Sequence, residues 1–410
     1  VTTNKHIVEL DEDLVDLITD DTWFNALVRL RNHLKVFCTT NKQIERQKQG
    51  KKGLLVLINE WSDMKQMKVE LLKNTGDDLF IANVARVSFD KWNEKLDEVR
   101  DPKLLDYLAH HQHISPFFHV RVTMRLPTEA IDLYKFNDPT YLMGAVWKLD
   151  GYTSHTEMMV FQHSVYGWIR MLADGMFDAS YIDEVYRNLK SIRGLTHTFE
   201  AYKWLNLDPF KFSSSANNDS KLVSIINENS LNDPLMVNAS LRITVPISIA
   251  RQLFTHRMLA SNEVSRRYVS TPPDFYMPTE WRSKPEGSAK QGSGSQVITD
   301  LAWGFATLNA SDSDSPNMSS TSNIKAISES YVDYAQALYN VLIESDVAPE
   351  QARLLLPQSM MTTIVFTGSI ETWWRLYLLR SDLHAQKEVR EVAEMIKQTL
   401  TGLDKRYTEV

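Results

Sequence analysis

The chain has 410 residues, enough for two to three domains of ordinary size. Its 43% hydrophobic and 24% charged residues support a sizeable core and exclude a wholly disordered or collagen-like chain. Basic residues number 45 against 52 acidic ones, and the net charge of −7 argues against a general nucleic-acid binder.

Cys38 is the single cysteine, so an intramolecular disulfide and a zinc site of the Cys₄ or Cys₂His₂ type are both excluded. His110, His111 and His113 stand too close together to make a metal site without thiol support, and no metal is expected. The lone thiol fits a reducing compartment. The first ten residues are polar and charged and do not read as a signal peptide. Met360 to Leu379 is the most apolar run, yet it carries Glu371 and Arg375, so no membrane span is expected. These features set the expectation of a cytoplasmic protein.

Residues 11–37 have helical apolar spacing, and the basic stretch 41–52 reads as a solvated linker or helix face. A new start follows at Met67, read as strand, turn, then strand or helix through Phe89. A helix is expected at 102–111, with Pro102 in its first turn. Period-two alternation predicts a strand from His119 to Leu126. Residues 182–204 read as one helix and 212–220 as loop. Leu241 to Val245 is a strand ended by Pro246, which opens a helix through Arg251. Residues 283–323 are rich in Ser, Gly, Asn and Asp and read as a long loop. Helix is expected from Ile324 to Glu344, a helix start at Ala348-Pro349-Glu350, a strand near 362–366, and helices at 370–380 and 385–400.

A weak internal echo relates two of these regions. Val160-Phe161, Ser164-Val165, Trp168 and Arg170 recur as Val365-Phe366, Ser369-Ile370, Trp373 and Arg375, at a constant offset of 369 − 164 = 205. Upstream, Arg121-Val122-Thr123 and Arg242-Ile243-Thr244 sit on similar strands. A degenerate partial duplication and a chance likeness of two strand–helix units both account for this.

The segment Arg251–Tyr268 (RQLFTHRMLASNEVSRRY) concentrates arginines, a histidine, a glutamate and serines. Such a run is often an exposed charged helix. Here it follows an apolar strand, whose end commonly meets a crevice in α/β folds. Arginines pair with phosphate by forked, charge-assisted bonds, and serine and asparagine suit a sugar or base.

This segment resembles the signature of the flavin-dependent thymidylate synthases, an Arg-His-Arg triplet, seven residues, then Ser. Thr255-His256-Arg257 stands at the triplet and Ser265 at the serine, flanked by Asn262, Glu263, Arg267 and Tyr268. Further blocks occur in the family's order: Ala85-Arg86-Val87-Ser88-Phe89, the His113-to-His119 segment through Ser115-Pro116-Phe117, Lys290-Gln291-Gly292-Ser293-Gly294, Val347 to Pro357, and Leu379 to Glu388. Several blocks in order are more specific than one motif. The departures are Thr255 for an arginine, Ala260 for a serine, and Ser369, Glu371 and Arg375 where the family has Asn, Arg and Asn.

The resemblance implies an α/β (α+β) fold, a central mixed or antiparallel sheet flanked by helices. Residues 67–126 and 239–410 would form the catalytic domain, 1–66 an accessory helical extension, and 127–238 an inserted, mainly helical segment. It implies reductive methylation of dUMP to dTMP with FAD, NADPH and 5,10-methylenetetrahydrofolate, by a homotetramer with no nucleic-acid or membrane partner, in a bacterial or virus-infected host cytoplasm. Arg380 would be the catalytic residue, favouring the N3-deprotonated uracil. Gln252, Ser265, Arg266, Arg267, Arg353 and Arg380 would bind dUMP. Ser88, Ser115, His256, Arg257, Glu263 and Arg375 would bind FAD. Cys38 lies outside every matched block and is not expected to act as a nucleophile.

Alternatives remain at several positions. Arg353 and Arg380 could be ion-pair partners of Glu350 and Asp382, and Glu263 could be a helix cap. His113 and His119 read as structural, and Trp373 and Trp374 as core. The same site could also make a hydroxymethyl product, or serve a degenerate nucleotide-binding homologue without flavin chemistry.

Overall fold

The structure, a computed structural model, describes residues 66–132, 145–153, 155–205, 223–226, 233–285, 292–303 and 320–408. The helix expected at 11–37, the basic stretch 41–52, Cys38 and the loop at 212–220 lie outside the described residues. The chain divides into two units. One, made of Gln66–Thr271, Ala348–Arg353 and Gln358–Val410, holds every site residue proposed from the sequence.

In that unit the strands form two four-stranded antiparallel sheets rather than one central sheet. The first has the order β1 (Lys68–Leu72), β6 (Asn238–Pro246), β10 (Met361–Ser369), β7 (Ala260–Glu263). The second has the order β3 (Val146–Thr153), β4 (Thr156–Ser164), β2 (Arg121–Pro127), β5 (Ser224–Ile225). Among its described residues the segment 127–238 has more helix than strand, and it also brings β3, β4 and β5 to β2. Its strand β4 has its apolar residues in one run, Met158 to Phe161, and is buried along most of its length, so period-two alternation does not mark it.

Helix α1 (Asp78–Arg86) resolves the choice left open after Met67. Asp77 caps it, accepting from Phe80 N at 2.9 Å. Helix α2 (Arg100–His110) follows, and a buried ion pair between Arg86 and Asp101 ties the two together. Helix α3 (Val165–Ala173) follows β4. The single helix expected at 182–204 is instead broken into α4 (Ile182–Lys190) and α5 (Thr196–Ala201). The break falls where Gly194 packs on the start of α1, because a Cβ there would sit 2.8 Å from Asp77 Cβ. Helix α6 (Ile247–Leu253) starts directly after Pro246.

In the other unit, part of the stretch 283–323 expected as loop forms a pair of antiparallel strands, β8 (Asp300–Trp303) with β9 (Ser320–Asn323). Asn323 then caps α7 (Ile324–Glu344), accepting from Lys325 N and Ala326 N. Back in the first unit come α8 (Pro349–Ala352), α9 (Ile370–Arg380) and α10 (Lys387–Leu400). The bounds of α7 and α9 are those expected from the sequence.

The echo is structural. Two units, β2–β4–α3 and β6–β10–α9, repeat one hydrogen-bonding scheme. Arg121 lies opposite Ser164, and Asn238 opposite Ser369. Ser164 caps α3 by accepting from Gly167 N at 3.1 Å, and Ser369 caps α9 by accepting from Thr372 N at 3.2 Å. Val165 N donates to Val120 O at 2.8 Å, and Ile370 N to Val237 O at 2.9 Å. The buried indoles do the same, Trp168 to Val122 O at 2.9 Å and Trp373 to Ala239 O at 3.1 Å. These bonds fix the first strands at an offset of 239 − 122 = 117. Arg125, not Arg121, is thus the counterpart of Arg242, which moves the upstream half of the echo by one helical turn's worth of residues.

Candidate functional site

The signature segment is not an exposed charged helix. It leaves α6, turns through residues 254–259, returns as β7 along the edge of β10, and turns again at Ser265. Arg380, the last residue of α9, holds the first turn from across the fold. Its Nε donates to His256 Nε2 at 3.1 Å, and its Nη2 to Gln252 O at 2.8 Å and Thr255 Oγ1 at 2.7 Å. Thr255, which replaces the usual arginine, thus serves as an acceptor for another arginine. Burial, and next the Arg380 charge, push the His256 imidazole down to about 4. His256 is therefore neutral near pH 7, and its Nε2 lone pair accepts the guanidinium. Gln252 donates from Nε2 to Gln386 Oε1 at 2.7 Å.

A second group forms beyond β7. Glu263 accepts from Thr362 Oγ1 at 2.7 Å. Burial holds its carboxyl above the usual range, opposed by that bond and by the nearby Arg353 charge. Ser88 reaches Glu263 O at 3.3 Å through its hydroxyl, and Ser265 N donates to Ser88 O at 3.0 Å. Arg267 pairs with Glu350 at 3.3 Å, and Arg266 Nη1 donates to Thr271 O at 2.5 Å. The structure thus gathers Gln252, His256 and Arg380 in one cluster and Ser88, Glu263 and Ser265, with Arg353 in electrostatic reach, in another.

A cavity of about 890 Å³ opens beside the signature turn. Ser115 and Arg257 line it, as do Met258 to Ser261 and Thr367. Its other wall comes from the inserted repeat through His163, Tyr166, Gly167 and Arg170. Arg121, Phe118, Tyr202 and Trp204 complete the cationic and aromatic lining. Behind Thr367 runs a buried polar chain. His119 Nδ1 and Ser240 Oγ each lie 2.7 Å from Thr367 Oγ1, and Asn74 Nδ2 donates to Ser240 Oγ at 3.1 Å. Burial pushes His119 down to about 3; the Asn262 side chain works against this and Arg121 adds to it.

The alternatives at single positions now separate. Glu350 pairs with Arg267, and Asp382 with His384 at 2.9 Å, so neither holds Arg353 or Arg380. Glu263 closes a strand and caps no helix. His119 is wholly buried and structural, and Trp373 is core. Arg375 does not line the cavity. It is 74% exposed and bonded to Glu371 at 2.9 Å, which Arg406 also holds at 2.7 Å.

Sequence reasoning missed Phe118, Arg121, His163, Tyr166, Arg170 and Thr367 as cavity residues. Followed as a positional guide, the 205-residue offset would have reached Arg170, because it maps that residue onto Arg375.

The model of the thymidylate synthase complementing protein family matches residues 203–403, which span the second repeat and the signature. A flavin-dependent thymidylate synthase of Kosmotoga olearia is 32% identical over 176 residues, 43% of this chain and 68% of that protein. The chain belongs to the flavin-dependent thymidylate synthase family. A relative of the same description from Aquifex aeolicus is 29% identical over 349 residues, covering 83% of this chain and 99% of its own length. Others of that description are matched over 54% and 65% of their length. A solved structure of a UMP/dUMP methylase from Streptomyces cacaoi, bound with 5-Br dUMP, aligns over 83% of this chain and 92% of its own at 16% identity and a TM-score of 0.32.

Proposed function

We propose that the protein methylates dUMP at C5 to give dTMP, with FAD as bound cofactor, NADPH as reductant and 5,10-methylenetetrahydrofolate as carbon donor. The observation that carries this reading is the Arg380 cluster. A guanidinium from α9 is locked onto the signature turn by three bonds, and its Nη1 has no hydrogen-bond partner among the described residues. That nitrogen is the one left to meet a substrate.

The cavity suits FAD on its own chemistry. Its volume of about 890 Å³ lies within the range of cofactor pockets. Three arginines line it and no carboxylate does, among the described residues, which favours a diphosphate. Aromatic side chains supply flat apolar surface for rings. Ser115 and Arg257 would hold the cofactor there, with His256, Ser88 and Glu263 shaping the turn beside it. When bound, the flavin supplies the hydride that reduces the transferred one-carbon unit.

Arg380 would donate from Nη1 to the pyrimidine edge and stabilise the anion left when N3 loses its proton, as a preorganised cation does. Neutral His256 keeps Arg380 aimed without competing for charge. Arg353 and Arg267, with Arg266, Ser265 and Gln252, would grip the nucleotide and its phosphate. In this reading residues 67–126 and 239–410 are the catalytic domain, residues 1–66 an accessory extension, and the assembly a homotetramer in the cytoplasm.

The test is a purified protein assayed anaerobically with FAD, NADPH, dUMP and methylenetetrahydrofolate, with the product identified by mass. A methylated nucleotide made only when FAD is present supports the reading. A hydroxymethyl product, or a protein that takes up nucleotide but no flavin, rejects it.

A further inference from the structure

Resting on the flavin reading above, we propose that Arg170 of the inserted repeat, and not its counterpart Arg375, binds the cofactor's diphosphate, so that the segment 127–238 supplies one wall of the cofactor site.

The two repeats share a backbone scheme but differ at the positions that face the cavity. At offset 205, His163, Tyr166, Gly167 and Arg170 map onto Gly368, Glu371, Thr372 and Arg375. In the first repeat a buried imidazole lies directly over a glycine. A Cβ on Gly167 would fall 2.2 Å from the His163 ring. In the second repeat the sizes are exchanged. Gly368 carries no side chain, and Leu259 of the signature segment takes the room, since a Cβ there would fall 2.4 Å from Leu259 Cδ2. Leu259 is itself a cavity residue. The second repeat is thus sealed by the signature segment, while the first faces the cavity from the opposite wall.

The charges follow the same division. Arg375 projects into solvent, and Glu371 and Arg406 tie it into a surface network. Arg170 lines the cavity, 35% exposed, and Asp174 one turn later orients it through a 2.8 Å bond. Position 166 is Tyr rather than Glu, so the cavity face of α3 carries no negative group to repel a phosphate. Tyr166 also packs edge-on against Phe118, at 5.6 Å between ring centroids, which fixes the wall beside Arg170. An arginine held by a carboxylate behind it, in a cavity that Arg121 and Arg257 also line and that no carboxylate lines among the described residues, matches a diphosphate rather than a neutral sugar or ring.

The test is FAD binding by apo-protein, followed by flavin absorbance and fluorescence, without turnover. Charge-assisted contacts of this kind correspond to about tenfold to a hundredfold in affinity. Arg170→Gln, which keeps an amide to meet Asp174, and Arg170→Ala should each weaken FAD by about tenfold or more. Arg375→Ala should stay within about twofold of wild type. Thermal midpoints of the apo-proteins show whether each variant is folded. Arg170 variants that are folded and bind FAD like wild type overturn the proposal. So does a loss of FAD in Arg375→Ala, and that arm decides even if the Arg170 variants do not fold. A wild-type protein that binds no FAD removes the flavin reading itself, which is a different result.

Discussion

Arg380→Ala separates the structural from the chemical role of one side chain. The substitution removes three hydrogen bonds from a charged donor, to His256 Nε2, Gln252 O and Thr255 Oγ1. Charged donors contribute about 1.5–3 kcal/mol per bond when buried, but the site is only partly buried and water screens it. The expected loss of folding stability is therefore about 2–4 kcal/mol in total, read as a fall in the urea midpoint at unchanged slope. Loss of the cation at the pyrimidine should cost a further factor of about 10²–10³ in turnover. Arg380→Lys keeps the charge but not the fork, so it should recover part of the stability and little of the rate. The assay is stopped-flow flavin reoxidation with saturating dUMP and methylenetetrahydrofolate. Reduction by NADPH, measured alone, should persist. Removing Arg380 also takes away the second cause of the depressed His256 pKa, so that imidazole should titrate above its present value of about 4. If the alanine variant reoxidises its flavin as fast as wild type while folded, Arg380 is not the activating group.

Three further outcomes are expected. Arg353→Ala should weaken dUMP binding about tenfold or more with kcat little changed, because a phosphate grip acts alike in ground and transition states; calorimetric titration with dUMP reads it. Gly167→Ala should drive its methyl group into the His163 ring, cost about 1–3 kcal/mol by thermal melting, and distort the cavity wall. Acid should destabilise the protein through His119 and His256, whose folded values of about 3 and 4 lie below the ordinary 6.5. The unfolded chain then binds more protons below pH 6.5, so stability is full above that pH and falls as pH drops from about 6.5 to 5.5, before most carboxylates titrate. A flat urea midpoint across that window contradicts the assignment.

Local chemistry made much of this protein legible before any fold was known. Asn323 and Ser369 cap α7 and α9 at the residues where the apolar period begins, so both helices could be bounded from the chain alone. The signature segment and Arg380 could be named because arginines, histidine and serine at fixed spacing are a chemical pattern. Pairing was a different matter. β4 is buried along most of its length and shows no alternation, so neither the strand nor its sheet could be seen. Only the register of β2 on β4 and of β6 on β10 gave the offset of 117 that makes Arg125, not Arg121, the counterpart of Arg242 in the repeat. The same holds for the cavity. Arg170 and Arg375 are one residue type at one position of two like helices. Whether such an arginine faces a cofactor or solvent depends on what packs against its helix: for Arg170 a cavity wall, for Arg375 the Glu371–Arg406 network on the surface. That is a contact between segments far apart in the chain, and no local spacing encodes it.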